Sequence, residues 1–171
     1  MSRRNRHTEG GPGAAAIKGA IAGAVATWVM GQITNYMYQR ENPEAREIED
    51  RARGGKTAYG AAAEKAAGLA GKSLDEKQRE RLGLAIHWAL GIGTGAVYGV
   101  LRRRFATVGR LGGAGFGTAF WGLVDEGLVS ALGLTPGPVA FPWQTHARGL
   151  AGHLTFGTVT DATLRVLDAV A

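Results

Sequence analysis

Charged and uncharged positions alternate in long blocks along this chain. From 19 to 39, "GAIAGAVATWVMGQITNYMYQ" runs twenty-one residues without a charge between Lys18 and Arg40. About twenty residues rising 1.5 Å each cross a ~30 Å hydrocarbon layer. The run therefore predicts a membrane span, with Tyr36 and Tyr38 at its interfacial end. It is long for a secretory signal peptide and no convincing cleavage site follows it. From 82 to 101, "LGLAIHWALGIGTGAVYGVL" supplies twenty more uncharged residues. A third run begins at Leu111 and is broken by Asp125 and Glu126; a fourth holds twelve uncharged residues, 149–160, before Asp161. The pattern predicts an all-α fold, a four-span transmembrane helical bundle crossing at about 17–39, 82–101, 111–132 and 148–168. Residues 14–171 form its single domain, behind a disordered basic tail, 1–13.

The connections carry their own signals. Residues 41–53 are charged and open at Asn42-Pro43, a turn signal. Residues 56–70 form helix readily but are too polar to span, which predicts an amphipathic helical segment at the surface or interface between spans one and two. "SLDE" (73–76) has capping-box spacing, with Ser73 at the N-cap and Glu76 at N3, and opens the second long helix. Between the last two runs, Pro136, Pro138 and Pro142 stiffen a turn whose Phe141 and Trp143 suit an interface. A shaped external cap or a re-entrant turn is expected there.

Composition sharpens the picture. Twenty-eight glycines in 171 residues are about twice the usual share. The pairs Gly19/Gly23, Gly91/Gly95, Gly95/Gly99 and Gly113/Gly117 repeat the small-xxx-small spacing that lets helix backbones approach in lipid. The glycines of 91–99 do not make a nucleotide loop, because no strand precedes them and no lysine follows. There is no cysteine, which excludes disulfides and thiolate chemistry. The net charge of +6 gathers in the tail (Arg3, Arg4, Arg6) and in a short connection (Arg102, Arg103, Arg104, Arg110), while 40–81 balances ten bases against nine acids. Bases beside apolar runs mark cytoplasmic loops rather than a nucleic-acid surface, which places both termini inside. Arg102, Arg103 and Arg104 either anchor that topology or bind anionic lipid headgroups.

Ionisable groups inside apolar runs are costly in lipid and face the bundle interior. His87 and His153, five or six residues after the charges that open their runs, and Asp125, Glu126 and the polar Asn35, late in theirs, fall at a similar level, about 8–9 Å inside the outer boundary at the helical rise. Two readings of this polar intramembrane layer stand. It relays protons or ions, since imidazole titrates near neutrality beside carboxylates; or it is polar glue that fixes helix register. Bis-histidine haem ligation by His87 and His153 is a third, weaker reading. His7 and His146, in tail and loop, receive no role. No nucleophile–base or metal-ligand arrangement is visible, so neither an enzyme nor a cofactor is expected. The expected partners are the lipid bilayer and further copies of the chain, with no nucleic acid.

The stretch Leu132-Gly133-Leu134-Thr135-Pro136, then Pro142-Trp143 and Gly152-His153-Leu154, resembles the YagU-like family of bacterial inner-membrane proteins. The His87-centred run with Gly95 and Tyr98-Gly99 is similar too, so the resemblance covers roughly 82–160. It implies a small multi-spanning inner-membrane protein linked with acid tolerance, and it supplies no catalytic residues to carry over. The Asp125-Glu126 pair has no counterpart in that pattern.

Overall fold

The computed structural model describes residues 11–170, so the predicted tail lies almost wholly outside the described residues. Those residues form helices and connecting turns, with no strand among them. Helix α1 spans Pro12–Arg40, α2 Pro43–Arg53, α3 Ala58–Leu69 and α4 Glu76–Arg104. The next helical stretch is composite: α5 (Ala114–Phe120), a π-helix (Trp121–Leu128) and α6 (Val129–Ala131). A 3₁₀ turn at Pro138–Ala140 leads into α7, Trp143–Ala169.

Local chemistry sets these boundaries. Asn42 caps α2, accepting the Glu44 N–H, with Pro43 at the first helical position. Helix α2 ends at Gly54, whose φ of 57° is the left-handed conformation that suits glycine. Helix α4 starts two residues later than "SLDE" predicts. Asp75, not Ser73, accepts the Gln78 N–H, and Gln78 accepts the Asp75 N–H in return. A box of Asp and Gln satisfies the same two orphan donors as Ser and Glu, and the carboxylate also favours the positive helix end.

Helices α1 and α4 lie antiparallel, Gly19 against Gly95 and Gly23 against Gly91. A Cβ on Gly23 would stand 2.5 Å from the Gly91 carbonyl oxygen and 2.9 Å from the Gly95 Cα. A Cβ on Gly99 would run into the Ala15 carbonyl, and one on Gly91 into the Thr27 hydroxyl. Helix α7 also packs along α1, where Gly152 meets Thr34 and Met30. Helix α5 in turn packs on α7 through Gly113 against Gly157 and Gly117 against the His153 carbonyl. Gly152 and Gly157 belong to these crossings although the spacing rule singled out neither.

The interior combines small and polar groups, Ala22, Ala26, Thr27, Thr160 and Asp161, with the larger Tyr98, Phe156 and Leu164, all of them buried. Many other large apolar side chains face outward. On α1, Ile17, Ile21, Val25 and Trp28 form an exposed stripe at helical spacing, and on α4 Leu84 and Val97 are more than half exposed.

Two helices, α1 and α4, are long and apolar enough to cross a membrane. The other two expected spans do not meet that standard, for different reasons. Helix α7 has twenty-seven residues, but Arg148, His153, Asp161, Arg165 and Asp168 interrupt it. The third run splits into α-helical pieces of seven and three residues around eight residues of π-helix. The segment between spans one and two also holds two helices, α2 and α3, where one was expected over 56–70.

Candidate functional site

The site lies at the bundle end where α1 finishes and α7 begins. Thr57 caps α3 by accepting the Gly60 N–H, and Gly60 fits against Gly83 of α4. This approach sets the Tyr59 ring on His87, centroids 4.7 Å apart. Burial, reinforced by the nearby Asp125 charge, pushes the Tyr59 hydroxyl up to about 12, so it stays protonated.

Across from α3 stands the π-helix, with Asp125 and Glu126. Its Val129 N–H bonds to the Val124 carbonyl, one residue beyond the α-helical pattern. More residues share each turn, so neighbouring side chains diverge less, and such segments recur at functional sites. Asp125 and Glu126 both face one cleft of about 630 Å³ between α1, α3, α4, the π-helix, the 132–141 turn and α7. Asn35 and His87 line the same cleft. His153 stands behind it, almost wholly buried, with Nε2 2.9 Å from Asp125 Oδ2. Its Nδ1 is buried without a partner among the described residues, and its ring packs edge-on with Phe120, centroids 5.2 Å apart. The proline-rich turn covers part of the cleft through Leu134, Pro138 and Phe141, and Lys65 of α3 holds the turn by bonding the Leu132 carbonyl.

His146 is the residue the sequence reading passed over. It sits on the first turn of α7 and lines the cleft. Its Nδ1 is 2.8 Å from Glu126 Oε1 and its Nε2 3.1 Å from the Pro138 carbonyl oxygen. Both ring nitrogens therefore face acceptors. A neutral imidazole has one N–H, so both contacts are hydrogen bonds only if the His146/Glu126 pair holds one extra proton, on the imidazole or on the carboxyl. His153 differs: with Asp125 ionised, a single proton on Nε2 satisfies its one contact and leaves Nδ1 bare. Nothing in a run pattern reveals the His146 pairing, because it joins elements twenty residues apart through the turn.

A charged network forms the outer wall. Arg148 is buried, bonds Glu49 through Nη2 (2.6 and 2.7 Å), and pairs with Glu41 through Nη1. Glu49 also accepts from Arg53 (2.8 Å) and from the Thr145 hydroxyl (2.8 Å). Burial alone would raise the Glu49 carboxyl, but the bonds from Arg148 and Arg53 outweigh it and hold the group below its usual value.

The remaining singled-out residues lie elsewhere. Gly19, Gly23, Gly91, Gly95, Gly99, Gly113 and Gly117 sit at the helix crossings described above. Arg102 turns inward at the opposite end. It bonds Asp161 (2.9 Å) and Asp168 (3.1 Å), and Asp161 also accepts from Tyr98 (2.8 Å) and Arg165 (2.7 Å). That guanidinium is bound within the protein, while Arg103 and Arg104 are exposed and Arg104 lies over the Phe105 ring. His87 and His153 are committed to separate partners, Tyr59 and Asp125. No group of three or more metal-ligating side chains gathers among the described residues. No family model, no curated protein and no solved structure matches this chain.

Proposed function

We propose that the chain is an integral membrane protein of the bacterial inner membrane, crossing four times with both termini in the cytoplasm, and that its cleft is the site of proton-linked transport. The exposure of large apolar side chains supports the membrane assignment: Ile17, Trp28, Leu84 and Leu123 face outward, while Thr27, Thr160 and Asp161 are among the buried groups. In this reading α7 and the α5–π–α6 stretch supply the other two crossings, their polar side chains turned toward neighbours and the cleft. The resemblance to YagU-like proteins supports the same placement and a role in acid tolerance.

One observation carries the proton-linked reading: His146 and Glu126 face the cleft in an arrangement that is fully bonded, to each other and to the Pro138 carbonyl, only when the pair holds one extra proton. Next along the π-helix, Asp125 forms with His153 a second carboxylate–imidazole contact that needs none. Two adjacent pairs with different proton demands are the chemistry of a relay. The test is proton flux into proteoliposomes followed with a trapped pH dye. Wild type should dissipate an imposed gradient, and Glu126→Gln and His153→Ala should each slow it at least about tenfold, a barrier difference of ~1.4 kcal/mol. Equal fluxes in all three proteins refute the relay.

A second reading is a membrane scaffold without transport. Its support is that both pairs join the same two elements, the π-helix and α7, as interhelical glue would. Under that reading the same substitutions lower thermal stability and leave no flux to change.

A further inference from the structure

The charge of the cleft is not balanced. Among its lining residues four carboxylates, Glu49, Asp50, Asp125 and Glu126, face two guanidiniums, Arg53 and Arg148. Counting His146 as a cation still leaves the acids in excess. The guanidiniums are already spent: Arg148 divides itself between Glu49 and Glu41, and Arg53 bonds Glu49. Asp50 accepts from the Tyr38 hydroxyl. Asp125 and Glu126 are different. Each uses one oxygen on a histidine, and among the described residues neither Asp125 Oδ1 nor Glu126 Oε2 has a hydrogen-bond donor. Both side chains remain partly exposed, 37% and 27%.

The walls around these oxygens are apolar. Met30, Ile86, Leu90 and Val124 line the same space, and the Trp121 ring stands on the π-helix one turn before Asp125. Two other aromatic faces are occupied, Tyr38 by Arg148 (4.9 Å) and Phe141 by Arg53 (5.4 Å). Among the described residues no guanidinium stands over Trp121 or over Tyr59, whose ring meets His87. An inorganic ion would leave the apolar walls unmatched, and an anion would meet two carboxylates. A neutral apolar molecule would leave the free oxygens without donors or counter-charge.

We infer that the cleft binds an organic cation, an amine or quaternary ammonium attached to an apolar body, with its charge on Asp125 and Glu126 and its body against Met30, Leu90 and Trp121. The volume of about 630 Å³ suits a small drug-sized molecule. The electrostatic and cation–π contributions act together only for a ligand that carries both parts. This ligand class rests on the reading of the cleft as a transport site, but binding at equilibrium needs no flux.

The experiment uses full-length protein in lipid nanodiscs, with empty nanodiscs subtracted, and compares benzyltrimethylammonium with its neutral isostere 2,2-dimethylpropylbenzene by equilibrium dialysis. The cation should bind saturably and at least about tenfold more tightly than the isostere, ~1.4 kcal/mol. Asp125→Asn and Glu126→Gln should each weaken the cation about tenfold or more and leave the isostere unchanged. Ala62→Leu, which narrows the cleft on its α3 side, should weaken both probes. Melting curves of all three variants, taken in the same nanodiscs, identify any that fail to fold; such a variant is replaced by Asp125→Glu, which keeps the charge and should retain cation preference. Isostere binding equal to or tighter than that of the cation, absence of saturable cation binding to wild type, or full cation affinity in folded Asp125→Asn and Glu126→Gln overturns the inference. Cation binding without proton flux would retain it and refute transport, while proton flux without cation binding would do the reverse.

Discussion

Replacing Gly95 by alanine adds one methyl group at the crossing of α1 and α4. An ideal Cβ there would run into the Gly19 carbonyl oxygen and lie 2.5 Å from the Gly23 Cα and 2.7 Å from the Gly23 nitrogen. All of these are backbone atoms, so no side chain can rotate out of the way. Restoring ordinary carbon contacts requires the two helices to part by about 1 Å, and overpacking of this kind costs about 1–3 kcal/mol. Gly93 lies two residues away on the same helix, and nothing stands within 4 Å of the place its methyl group would take. There the substitution gains helix propensity, up to ~1 kcal/mol. The two variants, identical in chemistry, should therefore differ by about 2–4 kcal/mol with opposite signs. Unfolding by sodium dodecyl sulfate in mixed micelles, followed by circular dichroism, measures both. A shift of the two in the same direction, or a Gly95→Ala protein as stable as wild type, would show that the close crossing does not hold α1 to α4.

Arg148→Met should destabilise the protein by about 3–5 kcal/mol, because it leaves the buried Glu49 carboxylate without its main partner. Adding Glu49→Met should recover a large part of that loss in the same unfolding assay; a double variant no more stable than the single one would contradict the pairing. Acid dependence follows from the lowered Glu49 carboxyl, and its sign is fixed. A depressed folded value means that the stabilisation is fully present above the ordinary value of 4.5 and is lost as the pH falls through the depressed one. The stability gap between wild type and Glu49→Gln should thus be flat from pH 7 to about 5 and narrow below 4.5. A gap that narrows on raising the pH instead would reverse the assignment.

How far the sequence reaches can be seen residue by residue. Runs of uncharged residues mark where α1 and α4 lie, because length and polarity are properties of a segment by itself. Glycine spacing marks the faces of α1, α4 and α5 that come closest, because a missing side chain is a local permission for contact. Depth along the apolar runs selects Asn35, His87, Asp125 and Glu126, which line one cleft, and His153, which bonds Asp125 behind it. The cap of α4 is misplaced by two residues because Ser73 and Asp75 both present a suitable oxygen, and only the path of the chain chooses between them.

What the tertiary structure alone decides is pairing across distance. The π-helical register that turns both Asp125 and Glu126 into the cleft departs from the α-helical hydrogen-bond pattern that sequence periodicity presumes. His146 gains its role only when the proline turn folds back and brings Pro138 and Glu126 to its two nitrogens. Arg148 finds Glu41 and Glu49 about a hundred residues away, and Arg102, read as a topology anchor or a binder of lipid headgroups, bonds Asp161 and Asp168. A run of residues records its own hydropathy and spacing. It holds no record of which distant charge will neutralise its own, since that is settled by the packing that removes both from solvent.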